Sequence, residues 1–173
     1  MKSQGSMMKL TDLWIGELAQ EAASTRRVLE RVPENKLAWA PHPKSMTLGQ
    51  LALHVAVIPG ALAEFLNDLI REAPSSQRAP EPASLAEILT AFDSSVEAAK
   101  LKLSSWGEDD LMAEWKMISG TETIIALPRV GMARSVMFNH LYHHRGQLTV
   151  YLRLLDVPVP SVYGPSADEN PFG

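Results

Sequence analysis

The sequence predicts an all-α protein built as a four-helix bundle, and three observations carry that prediction. Four segments repeat apolar residues at helical spacing. Proline-, glycine- and serine-rich stretches separate them. The chain has 173 residues, 46% of them hydrophobic, so it can bury a core without metal or disulfide support.

The first helix runs from Thr11 to Val32, with Thr11 or Asp12 as its cap and Leu13, Trp14, Glu17, Leu18, Ala22, Val28, Leu29 and Val32 along one stripe. Pro33 stops it, and residues 33–45 form a loop whose Trp39 folds back on the core. Thr47-Leu48-Gly49-Gln50 has capping-box spacing and opens a second helix that is apolar on most sides from Leu48 to Leu69. Its apolar length suits a membrane span, but His54, Pro59, Glu64, Asn67 and Asp68 interrupt it, which favours a buried helix. Pro59-Gly60 should kink or divide it. Residues 73–83 read as an exposed loop. Ser84 then caps a third helix, Leu85 to Trp106, ended by Gly107. Trp115, Met117 and Ile118, then Thr123, Ile124 and Ile125, flank Gly120 as a short β-hairpin. Pro128 starts the fourth helix, which runs to Leu155. Gly146 lies inside it at a cost of roughly 1 kcal/mol against alanine, and close packing of a neighbour is the expected reason. The tail after Val157-Pro158-Val159-Pro160 is irregular.

Length suggests one domain over residues 1–173, with 1–8 disordered and Met7 or Met8 as the start. Net charge is −4 and no basic run exists, so nucleic acid is not an expected partner. The N-terminus lacks a secretory apolar run, and no membrane association is expected. The absence of cysteine excludes disulfides, thiolate ligands and a protein-borne thiol nucleophile, and it fits a cytoplasmic protein. No phosphate-cradling glycine loop or serine nucleophile elbow is present.

The functional signal is Asn139-His140-Leu141-Tyr142-His143-His144-Arg145-Gly146-Gln147-Leu148, which holds three of the five histidines. His140 and His144 stand about one turn apart on a single helix face, a spacing that transition metals accept. His143 lies about 60° to one side of His140, so the i,i+3 pairing is also open. His54, in a strongly apolar helix, is either the third ligand or a core histidine bonded to a backbone carbonyl. His42 sits in a loop between prolines and reads as exposed and inert. Gln147 and Asn139 are candidates for orienting imidazoles, and Arg145 for pairing with an acidic partner. No Glu-x-x-His occurs near the cluster, which argues against a di-iron carboxylate bundle.

Residues 39–51, from Trp39-Ala40-Pro41-His42-Pro43 to Thr47-Leu48-Gly49-Gln50-Leu51, precede His54. With His140, His143-His144-Arg145-Gly146-Gln147-Leu148 and the tail 159–169, they resemble the DinB/YfiT-like superfamily across nearly the whole chain. The resemblance implies an up-down-down-up bundle, often dimeric, and a divalent metal held by His54, His140 and His144. His143 matches a frequent family position that is not a ligand. Relatives of that kind include thiol-dependent S-transferases and a mycothiol-dependent isomerase.

Three imidazoles with an open position make the catalytic rather than the closed structural pattern, with Zn²⁺ preferred and Ni²⁺, Fe²⁺ or Mn²⁺ also suited to imidazole. The first expectation is a metal-dependent transferase that activates an external low-molecular-weight thiol toward a small-molecule electrophile. The second is a hydrolase using bound hydroxide, disfavoured by the lack of a nearby carboxylate base. The third is a stress-related binding or scaffold protein without catalysis.

Overall fold

The computed structural model describes residues 8–74 and 80–172, which form a mainly helical structure with one small sheet. The expected disorder at the N-terminus concerns residues 1–7, which lie outside the described residues; Met8 is exposed.

Helix α1 spans Leu10–Leu29. Its start is tied by the Lys9 N–H donating to the Asp12 carboxylate (3.3 Å), so Asp12 acts from inside the first turn. Trp14, Leu18, Thr25, Val28 and Leu29 are buried, whereas Leu13 is exposed. Leu13 stands about 100° from Trp14 around the helix, off the inward face. A 3₁₀ turn at Glu34–Lys36 follows Pro33. The loop beyond it brings the Trp39 ring edge-on to Tyr151, with centroids 5.8 Å apart.

Helix α2 spans Leu48–Phe65 and opens with the predicted reciprocal cap. The Gln50 N–H donates to Thr47 Oγ1, and the Thr47 N–H to Gln50 Oε1, both at 3.1 Å. By length and composition α2 could cross a membrane, yet most of it is buried inside the protein. It runs unbroken through Pro59 because α3 (Leu85–Ser105) supplies what the proline disturbs. Ser95 Oγ accepts from the Gly60 N–H (2.8 Å) and donates to the Val57 carbonyl (3.1 Å). A Cβ on Gly60 would lie 2.8 Å from the Ser95 carbonyl oxygen, so glycine is what allows this approach.

α2 ends four residues before Leu69. The buried Arg129 guanidinium takes the Leu66 and Asn67 carbonyls at 2.9 and 2.7 Å, groups that a terminating helix leaves open. The chain then forms strand β1 (Ile70–Glu72). After α3, Gly107 caps a short α4 (Glu108–Met112) that periodicity did not reveal. The predicted hairpin is present as β2 (Glu114–Ser119) and β3 (Glu122–Pro128), antiparallel around Gly120, whose φ is +58°. β1 adds as a parallel third strand, so the protein is not purely helical. Three residues were too few to show an alternating pattern. Buried Trp115 on β2, 5.5 Å from the Phe65 ring, seats the sheet on α2.

The last helical stretch has three parts: α5 (Arg129–Met132), a π-helical segment (Ala133–Asn139) and α6 (His140–Leu154). Pro128 closes β3 and precedes α5 instead of lying within the helix. α2 packs on α3, α3 on α1, and α6 on both α2 and α1. Val28, Leu51, Val55, Ile58, Phe92, Leu148 and Leu152 are central to one core cluster, and Trp14, Leu18, Leu66, Leu103, Trp115 and Phe138 to a second. Gly146 does not serve a close contact: a Cβ there meets nothing within 4 Å.

Gly60→Ala should destabilise the protein by about 1–3 kcal/mol through overpacking against Ser95. Gly146→Ala should be neutral or stabilising by up to about 1 kcal/mol. Urea unfolding midpoints of the two variants, measured side by side, check both signs.

Candidate metal centre

His54 lies midway along α2, with buried residues on both sides of it in sequence. His140 opens α6 immediately after the π segment, and His144 follows one turn later. Because α6 packs on α2, the three rings meet. Their centroids are 5.1 Å (His54–His140), 4.5 Å (His54–His144) and 4.6 Å (His140–His144) apart. One ring nitrogen from each lies within 4.8 Å of the others, and the Nε2 atoms of His54 and His140 are 3.3 Å apart. All three are half-buried.

Two rings have their outer nitrogen held by an acceptor. His140 Nδ1 lies 3.3 Å from the Val136 carbonyl, and His144 Nδ1 lies 2.7 Å from Gln147 Oε1. Each contact places the ring proton on Nδ1, which leaves Nε2 as a lone pair facing the cluster. Burial is the main cause that lowers the basicity of all three rings. His54 is further lowered by His140, and His140 by His143; the Val136 carbonyl partly opposes the shift at His140. His144 falls to about 4 despite the opposing Gln147 contact. At neutral pH the site is therefore three uncharged imidazoles, with Nε2 of His140 and His144 as inward lone pairs and His54 Nε2 facing that of His140 at 3.3 Å, a donor set that suits a divalent ion.

Of the two spacings open on this helix, the structure groups the i,i+4 pair His140 and His144 with His54, and His143 is not in that group. His143 is exposed, its ring 4.8 Å from that of His144. His42 is exposed in its loop, where its Nδ1 accepts from the Lys44 N–H (3.1 Å). Gln147 takes the orienting role expected of it. Asn139 is exposed and makes no hydrogen bond to an imidazole among the described residues.

Opposite the histidines, α6 is anchored to α1 through charge. Arg145, 2% exposed, pairs with Glu21 at 2.6 Å and donates to Thr25 Oγ1 at 3.0 Å and Tyr163 Oη at 2.6 Å. Tyr163 in turn donates to Glu21 (3.0 Å), which clips the C-terminal tail onto the helix. One turn earlier in α1, Glu17 accepts from Tyr142 (2.6 Å) and from both Arg134 terminal nitrogens (2.7 and 2.6 Å). The Arg134 contact is the main reason the Glu17 carboxyl sits below its ordinary range. An acidic partner for Arg145 follows from its burial in sequence. The Tyr163 and Glu17 contacts do not, although a glutamate within the apolar stripe of the first helix was a signal for one. The π segment had no sequence signal; it sets the Val136 carbonyl against His140 and is the kind of helix irregularity that often accompanies function.

A model of the DinB superfamily matches residues 17–148, which include all three clustered histidines. The uncharacterized protein YrdA of Bacillus subtilis (strain 168) is 26% identical over 163 residues, covering 94% of this chain and 93% of its own. A crystallised DinB-like protein from Bacillus cereus ATCC 10987 aligns with a TM-score of 0.66 at 24% identity, over 87% of this chain and 95% of that one. Another from Bacillus subtilis gives 0.65 at 17% identity, over 86% and 96%. At such identities the structures speak to fold alone.

Acidification should destabilise the metal-free protein. The unfolded chain protonates its histidines near 6.5, whereas folded His144 resists until about 4, so between those values the unfolded state binds more protons. The stability held above pH 6.5 is lost as pH falls toward 4. Unfolding midpoints across this range should drop, and His144→Gln should flatten the slope.

Proposed function

Because this chain belongs to the DinB superfamily and gathers His54, His140 and His144 at one point, we propose that these imidazoles hold one divalent metal ion. In this reading the loaded centre activates an external low-molecular-weight thiol for transfer to an electrophilic small molecule. The carrying observation is the 3.3 Å separation of the His54 and His140 Nε2 atoms. Two nitrogens bound to one Zn²⁺ at about 2.0–2.1 Å in tetrahedral array stand about 3.3–3.4 Å apart. Two facing lone pairs at that distance otherwise need a shared proton.

A bound Zn²⁺ supplies Lewis acidity, which draws down the pKa of a thiol or water that joins it. The chain's own residues do the rest. Three neutral imidazoles bring no negative charge, so the acidity of a dication is left undiminished. Gln147 and the Val136 carbonyl hold the two α6 rings in the tautomer that offers Nε2. With no cysteine in the sequence, the sulfur must come from outside. The group contains no carboxylate among the described residues, which ranks the hydrolase reading below the thiol one. Imidazole also suits Ni²⁺, Fe²⁺ and Mn²⁺, with Zn²⁺ preferred. The same reading takes the long helical stretches as an up-down-down-up bundle, a single domain over residues 1–173 that works as a cytoplasmic homodimer.

Elemental analysis of the purified protein should find about one metal ion per chain, lost in His140→Ala. Gln147→Ala should weaken metal affinity by about 10–100-fold while leaving the fold intact. Metal retained at full level in His140→Ala would refute the ligand set. Metal bound tightly with no metal-dependent consumption of any thiol across a panel of electrophiles would move the protein to the scaffold reading.

A further inference from the structure

Beside the histidines, α6 carries a second feature that the metal reading does not use. Pro41, Gln147, Val150, Tyr151 and Leu154 line a concavity of about 330 Å³. Val150 and Leu154 are 60% and 58% exposed and stand one turn apart on the helix. The wall is held in place: Tyr151 Oη donates to the Met46 carbonyl at 3.3 Å, and the Trp39 ring meets the Tyr151 ring edge-on. None of the five lining residues is charged. Gln147 belongs to both places, because its Oε1 receives the His144 ring proton while its side chain lines the concavity. Val150 lies about 9 Å along the helix from His144, and Leu154 about 15 Å.

Size decides what this groove takes. A stable dimer interface engages about 20–30 residues a side, and five do not approach that. A volume of this order suits a portion of a small molecule. We infer that the groove is an apolar subsite of the histidine centre, holding the uncharged aliphatic or aromatic group of a substrate whose reacting atom lies at His54, His140 and His144. This rests on the metal reading above and adds the substrate class: a hydrophobic thiol or electrophile instead of a highly charged one.

Straight-chain thiols from ethanethiol to decanethiol, long enough to reach Leu154, titrated into Co²⁺-loaded protein, test it through the thiolate-to-cobalt charge-transfer band. Each thiol gives up its proton to buffer as sulfur binds. Affinity should rise by up to about fourfold per added methylene as the chain enters the groove. Val150→Asp and Leu154→Asp, checked for folding by thermal unfolding, should each flatten that series. A flat series in the unaltered protein, or an unchanged gradient in both variants, overturns the inference. So does a flat series accompanied by a change of oligomeric state in the variants, which would make the groove an interface between copies. If no cobalt band forms with any thiol, the metal reading falls instead. The groove is then decided by titrating metal-free protein with 1-hexanol: saturable shifts of the Val150 and Leu154 methyl resonances retain an apolar site, and their absence overturns it.

Discussion

The meeting of α2 and α6 is the constraint on which the rest of this molecule depends. It sets the His54 and His140 Nε2 atoms 3.3 Å apart in a half-buried position where neither ring readily takes a proton. Burying imidazoles costs free energy unless their nitrogens are satisfied, and two ring nitrogens this close need either the ring proton of one of them or a cation between them. A helical protein of this size has no structural need for such an arrangement. Its core is already supplied by leucine, valine, isoleucine and phenylalanine side chains on both sides of the cluster.

The surrounding structure holds the two helices in that relation. Ser95 stitches the proline-disturbed middle of α2, so His54 is carried on a continuous rod. Arg129 joins the end of α2 to the start of the last helical stretch through three backbone carbonyls, those of Leu66, Asn67 and Asp110. On the far side of α6, Arg145 is enclosed by Glu21, Thr25, Tyr163 and the ring of Tyr142. A charge removed from water this completely tolerates little movement, because any shift leaves it unpaired. The histidine face of α6 is thus set by ionic contacts on its opposite face.

The polarity of the site is consistent with chemistry carried by an external ligand. Among the described residues the histidine group contains no carboxylate, and the chain has no thiol of its own. The concavity along Val150 and Leu154 has no charged residue in its lining. Both features suit a neutral or weakly acidic small molecule that brings its own nucleophilic atom.

Local pattern was enough to read much of this from sequence. The Thr47–Gln50 box, the Ser84 cap and the hairpin around Gly120 depend on residues close in the chain, and each formed where expected. The pairing of His140 with His144 is local in the same sense, since helical spacing alone places both rings on one face. Tertiary structure decided the remainder. That His54 joins this pair depends on packing between residues 86 apart in the chain, and so does the grouping of His144 rather than His143 with it. β1 exists only because β2 offers it a partner, and α2 stops where Arg129 captures its last carbonyls. Gly146 shows the reverse: its cost could be counted from sequence, but only the folded surface shows that no neighbour requires it. Periodicity reports which face of an element turns inward; it cannot report what that face will meet.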